Sequence, residues 1–217
     1  MLEEKLVTLK GRLIEYASLV EKMIDLSIEG LLRKDKTHLE EVMNVYEPKA
    51  NDMEIEIDED CISLIAQFQP KAGDLRTIHT VMRMNNDLER MGDHAVNICE
   101  SALFLLERPA VKPLIDIPRM AELSASMLKD SIASFIESDP KMAKLVCERD
   151  ERVDELGEQV LRELITYMTS DTTTIERSLH LLRIARNLER IADLSTNICE
   201  DTIFMVDGRV IKHHKDA

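Results

Sequence analysis

Apolar residues recur at steps of three and four along most of the chain, which is the spacing of one face of an α-helix. The clearest seam comprises Val81, Met84, Leu88, Met91, Ala95, Ile98, Ala102 and Leu105. No stretch of alternating apolar and polar residues bounded by turn signals predicts a β-strand. We therefore expect an all-α protein with six helices. Their approximate ranges are 3–33, 38–67, 74–106, 118–137, 140–169 and 173–206.

The chain contains an internal duplication. Residues 87–100 read DLERMGDHAVNICE, and residues 187–200 read NLERIADLSTNICE. Earlier blocks match at offsets of 104 (23–35 with 127–139) and 103, and the last block matches at 100. The offset changes only between blocks, where loops are expected. Because short connections make neighbouring helices antiparallel, the pattern predicts two tandem antiparallel three-helix bundles from an internal duplication.

A proline-containing segment separates the two halves. Pro109, Pro113 and Pro118 interrupt the helical pattern there and indicate a linker. The predicted units are residues 1–107 for the first repeat, 108–117 for the linker and 118–217 for the second repeat. At this length one shared core and two smaller cores are both compatible with the hydrophobic content of 44%.

Composition excludes several classes of function. The net charge is −14 and Lys and Arg form no dense cluster, which argues against a nucleic-acid surface. The sequence contains no run of 18 uncharged apolar residues, so it predicts no membrane span. The acidic N-terminus does not resemble a signal peptide. The cysteines show no CxxC spacing and are expected to be small buried residues in a reducing cytoplasm. They are Cys61, Cys99, Cys147 and Cys199.

Acidic and amide residues form a polar stripe beside the apolar seam. On the third predicted helix the stripe is Asn85, Glu89, Asp93 and Asn97, and on the sixth it is Ala185, Glu189, Asp193 and Asn197. The second and fifth helices offer Glu47 with Asn51 and Asp150 with Asp154 at the same spacing. Like charges four residues apart repel each other on a helix, and carboxylate oxygens bind hard cations and iron. The repeated pairs therefore predict a metal site in each half, whereas a solvated acidic face is the alternative.

No catalytic motif stands out. A ferritin-like di-iron site needs Glu-x-x-His, but Gly92 and Ala192 follow Glu89 and Glu189 at the third position. The six glycines form no P-loop, no dinucleotide turn and no G-x-S-x-G elbow. We therefore expect that the protein is not an enzyme.

Three features of the sequence resemble the PhoU family. They are the stretch DLRTIHTVMRMNNDLERMGDHAVNICE, the FQPKAGDLR turn at its start and the two LER-x-x-D motifs. The resemblance covers nearly the whole chain. It implies a metal motif consisting of an acidic residue, three others and Asp, on the second and third helices of each bundle. The motif falls on Glu89/Asp93, Asp150/Asp154 and Glu189/Asp193, whereas Glu47/Asn51 departs from it by carrying Asn. The missing negative charge puts the affinity of the first site in doubt.

The resemblance also implies a function. PhoU-like proteins are cytoplasmic negative regulators of phosphate uptake, which dock on the phosphate ABC transporter ATPase and on the phosphate sensor histidine kinase. They repress the starvation response when phosphate is plentiful. The implied cofactor is a divalent or trivalent metal, bound as a single ion or as a multinuclear cluster. Iron, magnesium, manganese and zinc all remain candidates for this metal. A homodimer is also compatible with the resemblance. The alternatives are a protein that stores or senses divalent metal and a metal-free helical adaptor.

Overall fold

The computed structural model describes residues 1–209, and within that range it is helical and contains no strand. The helices are α1 (Leu2–Arg33), α2 (Lys36–Glu41), α3 (Glu47–Phe68), α4 (Gly73–Leu106), α5 (Asp116–Glu137), α6 (Pro140–Cys147), α7 (Asp150–Ser170) and α8 (Ile175–Asp207). The end of the second predicted unit, residues 210–217, lies outside the described residues. The all-α prediction is confirmed.

The second segment of each half is interrupted where the sequence predicts one uniform helix. In the first half a π-helical turn, Val42–Tyr46, joins α2 to α3, and the Glu47 amide bonds five residues back to the Val42 carbonyl. Pro48 follows directly and has no amide to donate, which favours an irregular turn at this point. In the second half the Arg149 amide donates a hydrogen bond only three residues back, to the Val146 carbonyl (3.0 Å). The resulting tight turn separates α6 from α7. At the offset of 103 the two irregularities are equivalent, and each directly precedes a predicted metal-binding pair.

The third helices of the two halves, α4 and α8, form the most extensive helix–helix interface in the described chain. On this central pair α1 packs against α4, α5 packs against α8, and α1 also touches α5. Leu13, Leu88, Leu128 and Leu188, one from each of these four helices, are fully buried in one continuous apolar cluster. The two bundles therefore share a single core.

The remaining helices cover the outside of this core. α3 packs on α4, and α6 and α7 pack on α8. The predicted seam of α4 is confirmed from Val81 to Ala102, whose apolar members are fully buried, and Leu105 at its end is half-buried. None of the described helices combines the length and the apolar character that crossing a bilayer requires.

Candidate metal centres

The polar stripe of α4 faces α3. The buried Asn85 side-chain amide donates to the Glu54 backbone carbonyl (2.9 Å) and to Asp58 Oδ1 (3.1 Å). These bonds fix the register of the two helices and bring Glu54 beside Glu89. Asp93 lies one turn further along α4 on the exposed part of the same face. We call Glu54, Glu89 and Asp93 the first acid cluster.

The acids of the first cluster act on one another. Burial raises the pKa of Glu89 above its ordinary value, repulsion from Asp93 and then from Glu54 raises it further, and Arg90 opposes the change. Burial also raises the pKa of Glu54, and the neighbouring Asp58 adds to that effect. Negative charge is therefore concentrated at a site where solvent compensates it incompletely, and a bound cation would relieve the repulsion.

A tyrosine from α1 points into the same cluster. Tyr16 is fully buried, and its hydroxyl has no hydrogen-bond partner among residues 1–209. Burial raises the pKa of Tyr16 above its ordinary value of 10.0, and the charges of Glu89, Glu54 and Asp93 raise it further, so the hydroxyl stays protonated. An unpaired buried hydroxyl is costly, and a bound ion with its water would supply the missing partner.

In the second half the acids line an open groove between α7 and α8. Asp154 and Glu189 border this groove, whose volume is about 330 Å³. Burial raises the pKa of Glu189, with further contributions from Asp154 and Asp193, and Arg190 opposes them. Asp193 also accepts a hydrogen bond from Arg190 (3.1 Å). We call Asp154, Glu189 and Asp193 the second acid cluster.

A glycine makes room for the second acid cluster. A Cβ added at Gly157 would lie 3.3 Å from Glu189 Oε2, which is a tight approach. Burial raises the pKa of Asp154, and the largest contribution from a neighbouring charge comes from Asp193. The acids of the second cluster therefore repel one another, as those of the first cluster do.

The structure brings the predicted residues together only in part. Glu47 and Asp150 open α3 and α7, and Asn51 is exposed one turn after Glu47. The charge of Glu47 contributes to the raised pKa of the Cys99 thiol, after burial and Glu100, which places Glu47 towards the later turns of α4. Within residues 1–209 no three His, Cys, Asp or Glu side chains are grouped as a metal site in their present positions. The donor atoms suit a hard cation, but metal binding stays a prediction.

Sequence reasoning missed Tyr16, Glu54 and Asp58. Glu47, Asn51, Glu54 and Asp58 follow one another at steps of four, three and four, so they share one face of the helix. Extending that face by two positions would have found the two acids. Tyr16 carried no such signal, because it reaches the cluster from another helix.

Comparisons with known proteins place the fold in a family. The sequence profile described as PhoU domain matches this chain twice, over residues 13–102 and 117–202. The chain belongs to the PhoU domain family. A relative from Aquifex aeolicus, named phosphate-specific transport system accessory protein PhoU homolog, is 42% identical over 208 residues, which are 94% of this chain and 92% of that protein. Homolog 2 from Thermotoga maritima is 34% identical, and the match covers 100% of this chain and 92% of that protein.

Solved PhoU structures have the same fold. The crystal structure of PhoU from Pseudomonas aeruginosa superposes with a TM-score of 0.93 at 31% identity, covering 96% of this chain and 100% of that one. The PhoU structure from Streptococcus pneumoniae gives a TM-score of 0.90 at 27% identity, covering 98% and 100%. The predicted family resemblance and the tandem duplication are both confirmed.

The residues that surround the acid clusters differ between the two PhoU domains of this chain. At the repeat offsets Tyr16 corresponds to Met120, Glu54 to Gly157 and Asn85 to Ala185. The first domain thus surrounds Glu89 with a buried hydroxyl and a further acid, whereas the second leaves Glu189 in an open groove. The extra acid of the first domain, Glu54, offsets the charge that Asn51 lacks relative to Asp154. Unequal metal affinity of the two domains stays a prediction.

Proposed function

We propose that this chain is an accessory regulator of a phosphate-transport system. It docks in the cytoplasm on the transporter's ATPase and on the phosphate sensor histidine kinase, and it represses the starvation response when phosphate is plentiful. The observation that carries the proposal is the double PhoU domain match, together with a relative 42% identical over almost the whole chain that is named an accessory protein of phosphate-specific transport. The relatives are named as accessory proteins rather than enzymes, so we propose no catalytic step.

The outer helices supply surfaces for such docking. Ile62 on α3 is 59% exposed, and its repeat equivalent on α7, Ile165, is 49% exposed. Acidic residues accompany both, and the chain as a whole carries a net charge of −14. A partner surface that combines apolar and basic residues would complement these faces, and the association rate should fall as salt screens the charges.

Metal binding belongs to the proposal as well. In the first PhoU domain Glu54, Glu89 and Asp93 would hold a cation, with the Tyr16 hydroxyl oriented towards it. In the second domain Asp154, Glu189 and Asp193 would do so. Glu47, Asn51 and Asp150 open the same helices and could extend the sites to further ions. Oxygen donors suit magnesium, manganese or iron better than soft metals. The cation would neutralise the acids and so stabilise the outer helices against the central pair.

Co-purification tests the docking. The tagged chain is recovered from cells grown in phosphate-rich medium, and bound proteins are identified by mass spectrometry. We expect the transporter ATPase and the sensor kinase in the wild-type eluate. Ile165→Asp on the proposed surface should reduce their recovery, whereas Lys141→Asp, an exposed change at the start of α6, should not. Recovery of neither partner with the wild type would contradict the docking proposal.

A second candidate is a protein that stores or senses divalent metal. The observation that favours it is the concentration of mutually repelling acids in both domains. Metal analysis of the purified protein together with the co-purification separates the two functions. Bound metal without any recovered partner favours storage or sensing, whereas partners recovered with metal-free protein favour regulation without a cation.

A further inference from the structure

Two cysteines from different helices of the second PhoU domain face each other. Cys147 is the last residue of α6 and is half-buried, whereas Cys199 on α8 is fully buried. α6 packs on α8, and this contact brings the two thiols close enough for each to shift the pKa of the other. The two thiols are therefore neighbours across the α6–α8 contact, and Cys147 is the one that solvent can reach.

The backbone next to Cys147 is suited to a small adjustment. α6 ends at Cys147, and the following two residues form the tight turn that precedes α7. Beyond the turn the Arg149 guanidinium donates to Asp130 (2.6 Å), which anchors the chain on its other side. Closing a disulfide requires a small shift of one sulfur towards the other, and a residue at a helix end can make that shift without breaking a continuous helical hydrogen-bond ladder.

The two thiols differ in acidity. The interaction with the Cys199 side chain lowers the pKa of Cys147 below its ordinary value of 9.0, although burial opposes the change. The same interaction, together with burial, raises the pKa of Cys199. Cys147 is thus the thiol that ionises and reacts first.

The other two cysteines are not placed for this chemistry. Burial raises the pKa of Cys61 and of Cys99 to about 12 in each case. At the repeat offsets Cys99 corresponds to Cys199, but the residue corresponding to Cys147 is Asn44. The first PhoU domain therefore has no equivalent thiol pair and serves as an internal control.

We propose that Cys147 and Cys199 form a reversible disulfide in exchange with a small-molecule disulfide such as glutathione disulfide. The Cys147 thiolate attacks one glutathione sulfur, the glutathione S–S bond breaks, and the released thiolate takes up the proton that Cys147 lost. Cys199 then loses its proton and attacks the Cys147 sulfur, which forms the protein disulfide and releases the second glutathione as a thiol. Two protein thiols are oxidised and one glutathione disulfide is reduced to two glutathiones. In a reducing cytoplasm the pair stays reduced until the glutathione pool becomes oxidised.

The test treats the folded full-length chain with glutathione disulfide, blocks free thiols with a maleimide after acid quenching, and maps the modified cysteines by mass spectrometry. We expect a linked Cys147–Cys199 peptide, an intact mass lower by two hydrogens, and reversal by dithiothreitol. A wild type that keeps four free thiols, or that stops at the Cys147–glutathione adduct, would overturn the proposal.

Three variants sharpen the result, each first compared with the wild type by circular dichroism. Cys199→Ser should accumulate the glutathione adduct on Cys147, because no second thiol can displace it. Cys147→Ser should leave Cys199 unmodified, and this variant decides the matter if the buried Cys199→Ser fails to fold. Cys61→Ser should form the disulfide as the wild type does. A disulfide that joins Cys61 or Cys99 instead would contradict the assignment.

Discussion

Replacing Glu89 with Gln should have opposite effects on stability without and with a cation. Gln has the shape of Glu but no charge. In the metal-free protein the substitution removes the repulsion that Glu89 receives from Asp93 and Glu54, so the fold should become more stable. With a saturating cation the same substitution removes a ligand, so the stabilisation that the ion provides should shrink.

The magnitudes follow from the neighbours of Glu89. A like-charge pair on an exposed helix face costs about 0.2–0.5 kcal/mol, and Asp93 forms such a pair with Glu89. With a similar cost for the pair that Glu54 on α3 forms with Glu89, the metal-free gain should be about 0.4–1 kcal/mol. For a chain of this size that corresponds to roughly 1–4 °C in Tm. A cation at a hundred times its Kd should stabilise the wild type by about 2.7 kcal/mol. The variant should keep only a small part of that gain.

Differential scanning calorimetry at neutral pH, with chelator and then with manganese, measures both effects. Glu122→Gln is the matched control, since Glu122 is exposed on α5 outside both acid clusters, and it should change neither value appreciably. The metal-free wild type should also lose stability as the pH rises through the raised pKa of Glu89, because the folded chain holds that proton more tightly than the unfolded chain. A variant less stable than the wild type in chelator, with an unchanged response to manganese, would refute the reasoning.

Three further predictions concern the first PhoU domain and the central helix pair. Asn51→Asp adds a carboxylate at the start of α3 and should tighten manganese binding, which calorimetric titration measures. An unchanged affinity would show that position 51 is not part of the site. Asn85→Ala deletes the amide that donates to the Glu54 carbonyl (2.9 Å) and should lower the free energy of unfolding in urea by about 1–3 kcal/mol, whereas Asn86→Ala on the exposed side should not. Burial raises the pKa of Asp87 from 3.8 to about 6, so this group makes the wild type lose stability as the pH rises between those values. Asp87→Asn should flatten that decline, and an identical pH profile would show that Asp87 titrates normally.

Most of the fold follows from the sequence. The steps of three and four in α4 predicted both its helical state and its buried face, because a helix that buries one side must repeat its apolar residues with that period. The offsets of the repeated blocks predicted the tandem bundles. The π-helical turn at Val42–Tyr46 was not predicted, because Pro48 signals an irregularity in the helix but not whether it is a kink or a turn with one extra residue.

The candidate sites were predictable only where the ligands share one helix. Glu89 and Asp93 are four residues apart, so sequence alone shows that they face the same direction. Whether Glu47 or Glu54 lies opposite Glu89 depends on the register of α3 against α4, and that register is set by the Asn85 hydrogen bonds. The single shared core likewise depends on the contact between α4 and α8, which lie about 100 residues apart in the sequence.

The regulatory role is tested most directly by the expression of phosphate-starvation genes in a strain that lacks this chain. In phosphate-rich medium these genes should be expressed in the deletion strain, and a plasmid copy of the wild-type chain should repress them again. Repression that persists in the deletion strain at the wild-type level would contradict the account, and metal storage or sensing would then be the better explanation of the two acid clusters.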